Sequence, residues 1–182
     1  FRAARVDQTV LLLSPDGTQV LEEFHFARQT VGDGLCLADY VLARSDPRPD
    51  YVCLFATTIG PGIRDLAEQW KNEGDYLRSH ILQALALESA EGFAELLHEK
   101  IRRMWGFPDP PGTTRQDLFK AKYRGIRVSF GYPACPRLED QEQLFRALDV
   151  TANIGVELTD GHMMDPEGSV SALVFHHPDA RY

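Results

Sequence analysis

Residues 63–105 place apolar side chains at helical spacing, and this long segment limits the folds open to the chain. Gly74 interrupts the pattern, so we expect two helices, of which the second is the longest in the protein. Its apolar residues recur three or four positions apart and should form one buried stripe: Leu82, Leu85, Ala86, Ala90, Phe93, Ala94, Leu97, Ile101 and Met104. The opposite side carries the charges that are typical of a solvated face: Glu88, Glu91, Glu95, Glu99 and Arg102.

Segments with β-strand character lie on both sides of this helical region. An apolar run at residues 10–13 leads into the turn sequence Pro-Asp-Gly at 15–17 and a further extended pattern, which predicts a hairpin. Residues 51–58 (YVCLFATT) predict a buried strand at the centre of a sheet, and residues 170–175 predict a last strand. Strands at both ends with helices between them predict an α+β fold, a mostly antiparallel twisted sheet with helices packed on it.

The region between the long helix and the last strand has mixed character. Residues 114–123 and 139–148 suit two short helices, and the alternation of Ile154, Val156 and Leu158 predicts a strand. Residues 124–138 (RGIRVSFGYPACPRL) are dense in glycine and proline, so we expect an extended loop there.

Length and composition exclude several classes of protein. The chain has 182 residues, 43% hydrophobic and 25% charged, as expected for one globular domain. Its net charge of -8 argues against binding to nucleic acid, and no apolar run approaches the roughly 20 residues of a membrane span. Cys36, Cys53 and Cys135 lie far apart without a CxxC pair, which favours a reducing cytoplasm over a zinc cage or a disulfide framework.

The strongest candidate for a binding site is the loop that contains Arg127, Gly131, Tyr132 and Ala134. Its prolines and Gly131 keep the backbone out of regular structure, which leaves amide and carbonyl groups available to a ligand. Arg127 offers a planar fork that matches a carboxylate or a phosphate. The alternative is a surface loop whose arginine pairs with one of the protein's own acids.

Other residues allow two interpretations. Glu91 is either part of the solvated helix face or, if the loop packs across the helix, an acid that meets a substrate ammonium group. Cys135 could be the nucleophile of a hydrolase, but nothing near it in sequence supplies a base, which favours a small apolar filler. His162, His176 and His177 do not have the spacing of metal ligands, so we expect no metal site.

Several of these segments together resemble one protein family. The pattern RxxxGYPACP at residues 127–136 is similar to the motif of the C-terminal activation domain of cobalamin-dependent methionine synthase. Four other segments resemble the same family and follow its order along the chain: CLADY at 36–40, EGFAELLHE at 91–99, GSVS at 168–171 and HPDARY at 177–182. The family begins earlier and ends later, so we expect residues 1–182 to be a partial activation domain.

The resemblance implies a ligand and a set of contacts. The ligand is S-adenosylmethionine, whose carboxylate Arg127 would hold while Glu91 stands near its ammonium group. The backbone of Tyr132 and Ala134, in the turn that Gly131 permits, would meet the adenine, and Tyr182 would line the same groove. No residue of the chain is expected to be catalytic, because the sulfonium methyl group is already activated and the cofactor supplies the chemistry.

The resemblance also implies partners. Cobalamin would be bound mainly by another domain of the parent protein, and flavodoxin or a similar reduced flavoprotein would deliver an electron. The domain would support reductive methylation of cob(II)alamin to methylcobalamin, so that the parent can transfer methyl from 5-methyltetrahydrofolate to homocysteine. The fragment alone is not expected to make methionine. The alternative is a noncatalytic module that caps cobalamin and docks flavodoxin.

Overall fold

The computed structural model describes residues 1–181. Within them the strands are β1 (Arg2–Val6), β2 (Thr9–Leu13), β3 (Val20–His25), β4 (Asp50–Tyr51), β5 (Cys53–Thr58), β6 (Ile126–Val128), β7 (Glu157–Leu158), β8 (Met164–Asp165) and β9 (Ser169–Phe175). The α-helices are α1 (Ile63–Asn72), α2 (Tyr76–Met104), α3 (Arg115–Phe119), α4 (Gln141–Leu148) and α5 (Val150–Ile154). None of the helices among these residues is both long and apolar enough to cross a membrane.

The strands confirm the α+β class and divide among three sheets. Their orders are β3-β2-β1-β4, β5-β9-β6 and β7-β8, and every named pair is antiparallel. The predicted hairpin is β2-β3, and the predicted last strand is β9. The prediction that residues 51–58 lie centrally is wrong, because β5 is an edge strand and β9 lies between β5 and β6. All seven residues of β9 are buried, as a strand covered on both faces and both edges requires.

One core joins the first sheet to the second. Phe24 and Phe26 of the hairpin stack with centroids 6.4 Å apart, and Phe24 also meets Phe130 at 6.1 Å. Phe26 makes an edge contact at 6.2 Å with Phe175 at the end of β9. These rings connect the hairpin, the strand β9 and the segment after β6, so the candidate loop begins from a residue that is anchored in the core.

Helix α2 packs on β5 and β9 through part of the predicted stripe, namely its alanines and Ile101. Ala86, Ala90 and Ala94 are buried at four-residue spacing, and Ala90 and Ala94 belong to the cluster that covers β9. Leu85, Phe93 and Met104 are exposed instead: a small-residue face lets the helix approach the sheet closely, which turns the larger side chains outward. Arg102, predicted on the solvated face, is only 1% exposed.

Residues 124–138 are not wholly an extended loop, which corrects the prediction. Residues 126–128 form β6, which pairs with β9 in the register Arg127 opposite Val174. The buried edge of β9 supplies hydrogen-bond partners that local composition does not reveal. Gly125 precedes this strand with φ 83°, a left-handed conformation, and a Cβ there would collide with the carbonyl oxygen of Phe175.

The short elements near the end of the chain correct two further predictions. The helix expected over 114–123 is shorter, since α3 begins at Arg115, where Thr114 and Asp117 form its capping box, and ends at Phe119. The strand expected across Ile154, Val156 and Leu158 is wrong, because Ile154 ends α5 and only residues 157–158 extend into β7. The Thr151 hydroxyl donates to the Val156 carbonyl and turns the chain inward there.

The left-handed backbone conformation of Gly125 predicts that a side chain at this position destabilises the fold. Gly125→Ala should lower the free energy of unfolding by at least about 2 kcal/mol, because it adds a strained backbone conformation to a clash with Phe175. The measurement is chemical denaturation followed by circular dichroism. Gly92→Ala is the matched control, since Gly92 lies within α2 with open space around it, and a gain of about 0.5–1 kcal/mol is expected there. Similar effects at both positions would contradict the assigned turn.

Candidate ligand-binding site

Arg127 extends from β6 toward α2 and meets two acids of that helix. Its Nη2 donates a hydrogen bond to Glu95 Oε1 and lies 3.7 Å from Glu91 Oε2. The Arg127 side chain is only 14% exposed, and its Nη1 is buried without a hydrogen-bond partner among residues 1–181. The structure thus brings two sequence-predicted residues, Arg127 and Glu91, together, and adds Glu95 as the hydrogen-bond partner of Arg127.

The segment that follows β6 forms a tight turn. Gly131 has φ 86°, its N–H donates to the Cys135 carbonyl at 2.8 Å, and the Cys135 N–H donates to the Tyr132 carbonyl at 2.9 Å. Phe130 on one side of the turn is buried, while the Tyr132 side chain is half exposed. Ala134 is buried, yet within the described residues neither its N–H nor its C=O is hydrogen-bonded. The turn therefore contains one backbone donor and one backbone acceptor that are unpaired within residues 1–181.

Four of the six predicted site residues lie on β6 and the turn that follows it. These are Arg127, Gly131, Tyr132 and Ala134. Glu91, on α2, lies beside Arg127. Tyr182 lies outside the described residues, so its place in the groove stays a prediction.

Sequence reasoning missed that one polar side of α2 leads from the two exposed acids of this site to two buried side chains, His98 and Arg102. Four polar residues of α2 are spaced four, three and four positions apart, which places them on one side of the helix: Glu91, Glu95, His98 and Arg102. Arg102 donates to both carboxylate oxygens of Asp109, at 2.7 and 2.6 Å. The spacing is visible in the sequence, but charged residues at this spacing are also typical of a solvated helix face, so the spacing does not distinguish the two.

His98 is the most confined of these side chains. It is 0% exposed, neither ring nitrogen has a hydrogen-bond partner within residues 1–181, and its ring meets Tyr123 edge-on at 5.0 Å. Burial, followed by the positive charges of Arg102 and Arg127, lowers the pKa of His98 to about 3. His98 is therefore neutral at physiological pH and adds no third cation beside the two arginines.

Cys135 does not have the environment of a nucleophile. Burial, reinforced by the negative charge of Asp140, raises the pKa of the Cys135 thiol to about 12. A thiol that stays protonated and covered is unreactive, so the geometry favours the apolar-filler interpretation over a hydrolase.

The histidines considered for a metal site have other partners. His162 Nε2 lies 2.9 Å from Glu142 and His176 Nε2 lies 2.7 Å from Asp50. In the part of the chain that the structure describes, no three histidine, cysteine or acidic side chains form a group able to hold a metal ion.

The neutral His98 predicts a particular dependence of stability on pH. Its pKa rises from about 3 in the fold to 6.5 in the unfolded chain, so the unfolded state binds the extra proton and stability falls as the pH drops below 6.5. Between pH 7.5 and pH 5 this residue alone should cost about 2 kcal/mol. Between pH 7.5 and pH 5 the His98→Leu variant should therefore lose about 2 kcal/mol less free energy of unfolding than the wild type loses. Urea denaturation at the two pH values measures this. His80→Leu, at an exposed position of α2, should keep the wild-type dependence.

Burial of Cys135 predicts slow labelling. In the folded protein at pH 7.5, iodoacetamide should modify Cys135 at least about a hundredfold more slowly than in urea, because the thiol is covered and protonated. Mass spectrometry of peptides after timed quenching measures this. Partly exposed Cys53 is the internal comparison, and labelling of Cys135 as fast as in the unfolded chain would support the nucleophile.

Comparison with known proteins identifies the family. Methionine synthase from Mycobacterium tuberculosis (strain ATCC 25618 / H37Rv) is 35% identical over 191 aligned residues, which cover 97% of this chain and 16% of that protein. The crystal structure of the MetH reactivation domain bound to AdoHcy matches with a TM-score of 0.93 and 34% identity, over 100% of this chain and 58% of that one. The family model for the activation domain of vitamin B12 dependent methionine synthase matches residues 1–182, and the chain belongs to that family.

Proposed function

We propose that the chain binds S-adenosylmethionine between β6 and α2 and serves as a reactivation module of a cobalamin-dependent methionine synthase. The observation that carries the proposal is the pairing of a mostly buried cation, Arg127, with the neighbouring acid Glu91 at 3.7 Å. An amino-acid end carries one negative and one positive group, and this pair offers one charge of each sign for it. Family membership and the AdoHcy bound to the similar MetH domain support the same ligand class.

The turn after β6 suits the nucleoside half of that ligand. The adenine edge presents an amino donor beside a ring-nitrogen acceptor, and the Ala134 backbone offers an acceptor beside a donor. Gly131 supports the turn, and the exposed Tyr132 ring offers an apolar surface next to it. In the proposal Tyr182 lines the same groove.

The work of the chain in this proposal is orientation. The sulfonium methyl group is already activated, so no residue of the chain has to move a proton, and the contacts at the two ends of the ligand fix the direction in which the methyl points. Cobalamin, when bound by its own domain of the parent protein, supplies the cobalt that accepts the methyl group. His98 is neutral and Arg102 is paired with Asp109, so neither adds an unbalanced positive charge near Arg127.

The parent protein and its partners belong to the proposal as well. This chain spans 16% of the M. tuberculosis methionine synthase, so methyl transfer from 5-methyltetrahydrofolate to homocysteine is assigned to the whole protein. We propose that the cobalamin-binding module of the same parent and a reduced flavoprotein such as flavodoxin are the partners. A cytoplasmic location is supported by three cysteines that are free thiols.

Loss of the guanidinium tests the proposal. Arg127→Ala should weaken binding of S-adenosylmethionine by at least about 1.5 kcal/mol, the low end for a hydrogen bond to a charged group. Isothermal titration calorimetry measures the affinity. Arg103→Ala is the control, since Arg103 is an exposed arginine of α2 whose partner is Glu99, and its affinity should stay within twofold of wild type. Equal affinity in both variants would remove Arg127 from the site, and absence of binding in wild type would favour the noncatalytic module.

A further inference from the structure

The guanidinium of Arg127 already has an acidic partner within the chain, and a ligand has to compete with it. Its Nη2 already donates to Glu95, and its Nη1 is enclosed with no partner among the described residues. A carboxylate that binds an arginine firmly engages two of its nitrogens. An arriving carboxylate therefore has to replace Glu95 before it can make that contact.

Glu95 can be replaced because its surroundings differ from those of Arg127. The Glu95 side chain is 43% exposed, whereas that of Arg127 is 14% exposed. Leaving a mostly buried guanidinium without an anion is costly, so an empty site is more stable when an acid covers it. A glutamate at the surface of α2 provides that anion and returns to water when another carboxylate takes its place.

Glu91 stands in a different relation to the guanidinium. It lies 3.7 Å from Nη2 without a hydrogen bond and is 60% exposed, so Arg127 does not depend on it. An ammonium group that entered beside Arg127 would find the Glu91 carboxylate still available. The two acids, four residues apart on α2, therefore have opposite effects on a zwitterionic ligand.

We propose that Glu95 is an internal competitor, a carboxylate that pairs with Arg127 in the free protein and exchanges with the carboxylate of the ligand. The inference rests on the proposed function. Only a ligand that carries its own carboxylate can release Glu95 without leaving the guanidinium unpaired, so the competition lowers the affinity for adenosyl compounds with an intact amino-acid end and leaves the affinity for other adenosyl compounds unchanged. Adenosyl compounds without that end bind with the Arg127–Glu95 pair still closed.

Titration of variants with two neutral probes tests the exchange. S-adenosylhomocysteine has the amino-acid end and no net charge, and 5′-methylthioadenosine lacks that end. Glu95→Gln should bind S-adenosylhomocysteine about fivefold more tightly than wild type, because a neutral amide competes less for Arg127. Binding of 5′-methylthioadenosine should be unchanged. Glu91→Gln should weaken S-adenosylhomocysteine binding, and Glu88→Gln, an exposed acid of the same helix, should change neither affinity.

Each outcome separates the exchange from its alternatives. Equal gains for both probes in Glu95→Gln, or the same gain in Glu88→Gln, would indicate a general effect of charge and overturn the inference. Weaker or unchanged S-adenosylhomocysteine binding in Glu95→Gln would also overturn it while leaving the proposed function intact. If no variant and no wild-type protein binds either probe, the proposed function fails and the inference fails with it. Thermal unfolding of each variant, measured in parallel, shows that the compared proteins are folded.

Discussion

The pairing of β6 with β9 is the interaction on which the rest of the structure depends. β9 is buried along its length and holds β5 on one edge and β6 on the other. Its register with β6 sets Arg127 opposite Val174 and directs the guanidinium at α2. The turn with the free Ala134 backbone begins directly after that strand, so one strand pairing positions both halves of the proposed site.

The close approach of α2 to this sheet creates the electrostatic character of the site. Ala90 and Ala94 allow the helix to lie near β9, and two polar side chains of the helix, His98 and Arg102, are buried as well. Asp109 compensates the buried Arg102, and His98 remains neutral because burial and two arginines oppose its protonation. His98, Arg102 and Asp109 together therefore carry little net charge. The two exposed acids, Glu91 and Glu95, are the charged partners of the Arg127 guanidinium.

Local patterns predicted much of the fold. The hairpin, the break between α1 and α2 at Gly74, and β9 are confirmed, because turn residues and hydrophobic periodicity act over a few positions. The predictions failed where the outcome depended on distant neighbours. Residues 126–128 form a strand because they pair with β9. Arg102 is buried because Asp109 balances its charge and the Tyr123 ring lies 4.0 Å from its guanidinium in a cation–π contact.

By itself, the sequence determined the α+β class, the family and the segment that contains Arg127, since these follow from periodicity and from the order of residues in a motif. Only the tertiary structure decided what Arg127 touches. Whether Glu91 and Glu95 belong to a solvated face or to a site depends on which surface packs across α2, and spacing along one helix contains no information about that surface. The burial of His98 has the same origin, because desolvation is a property of everything that surrounds the ring.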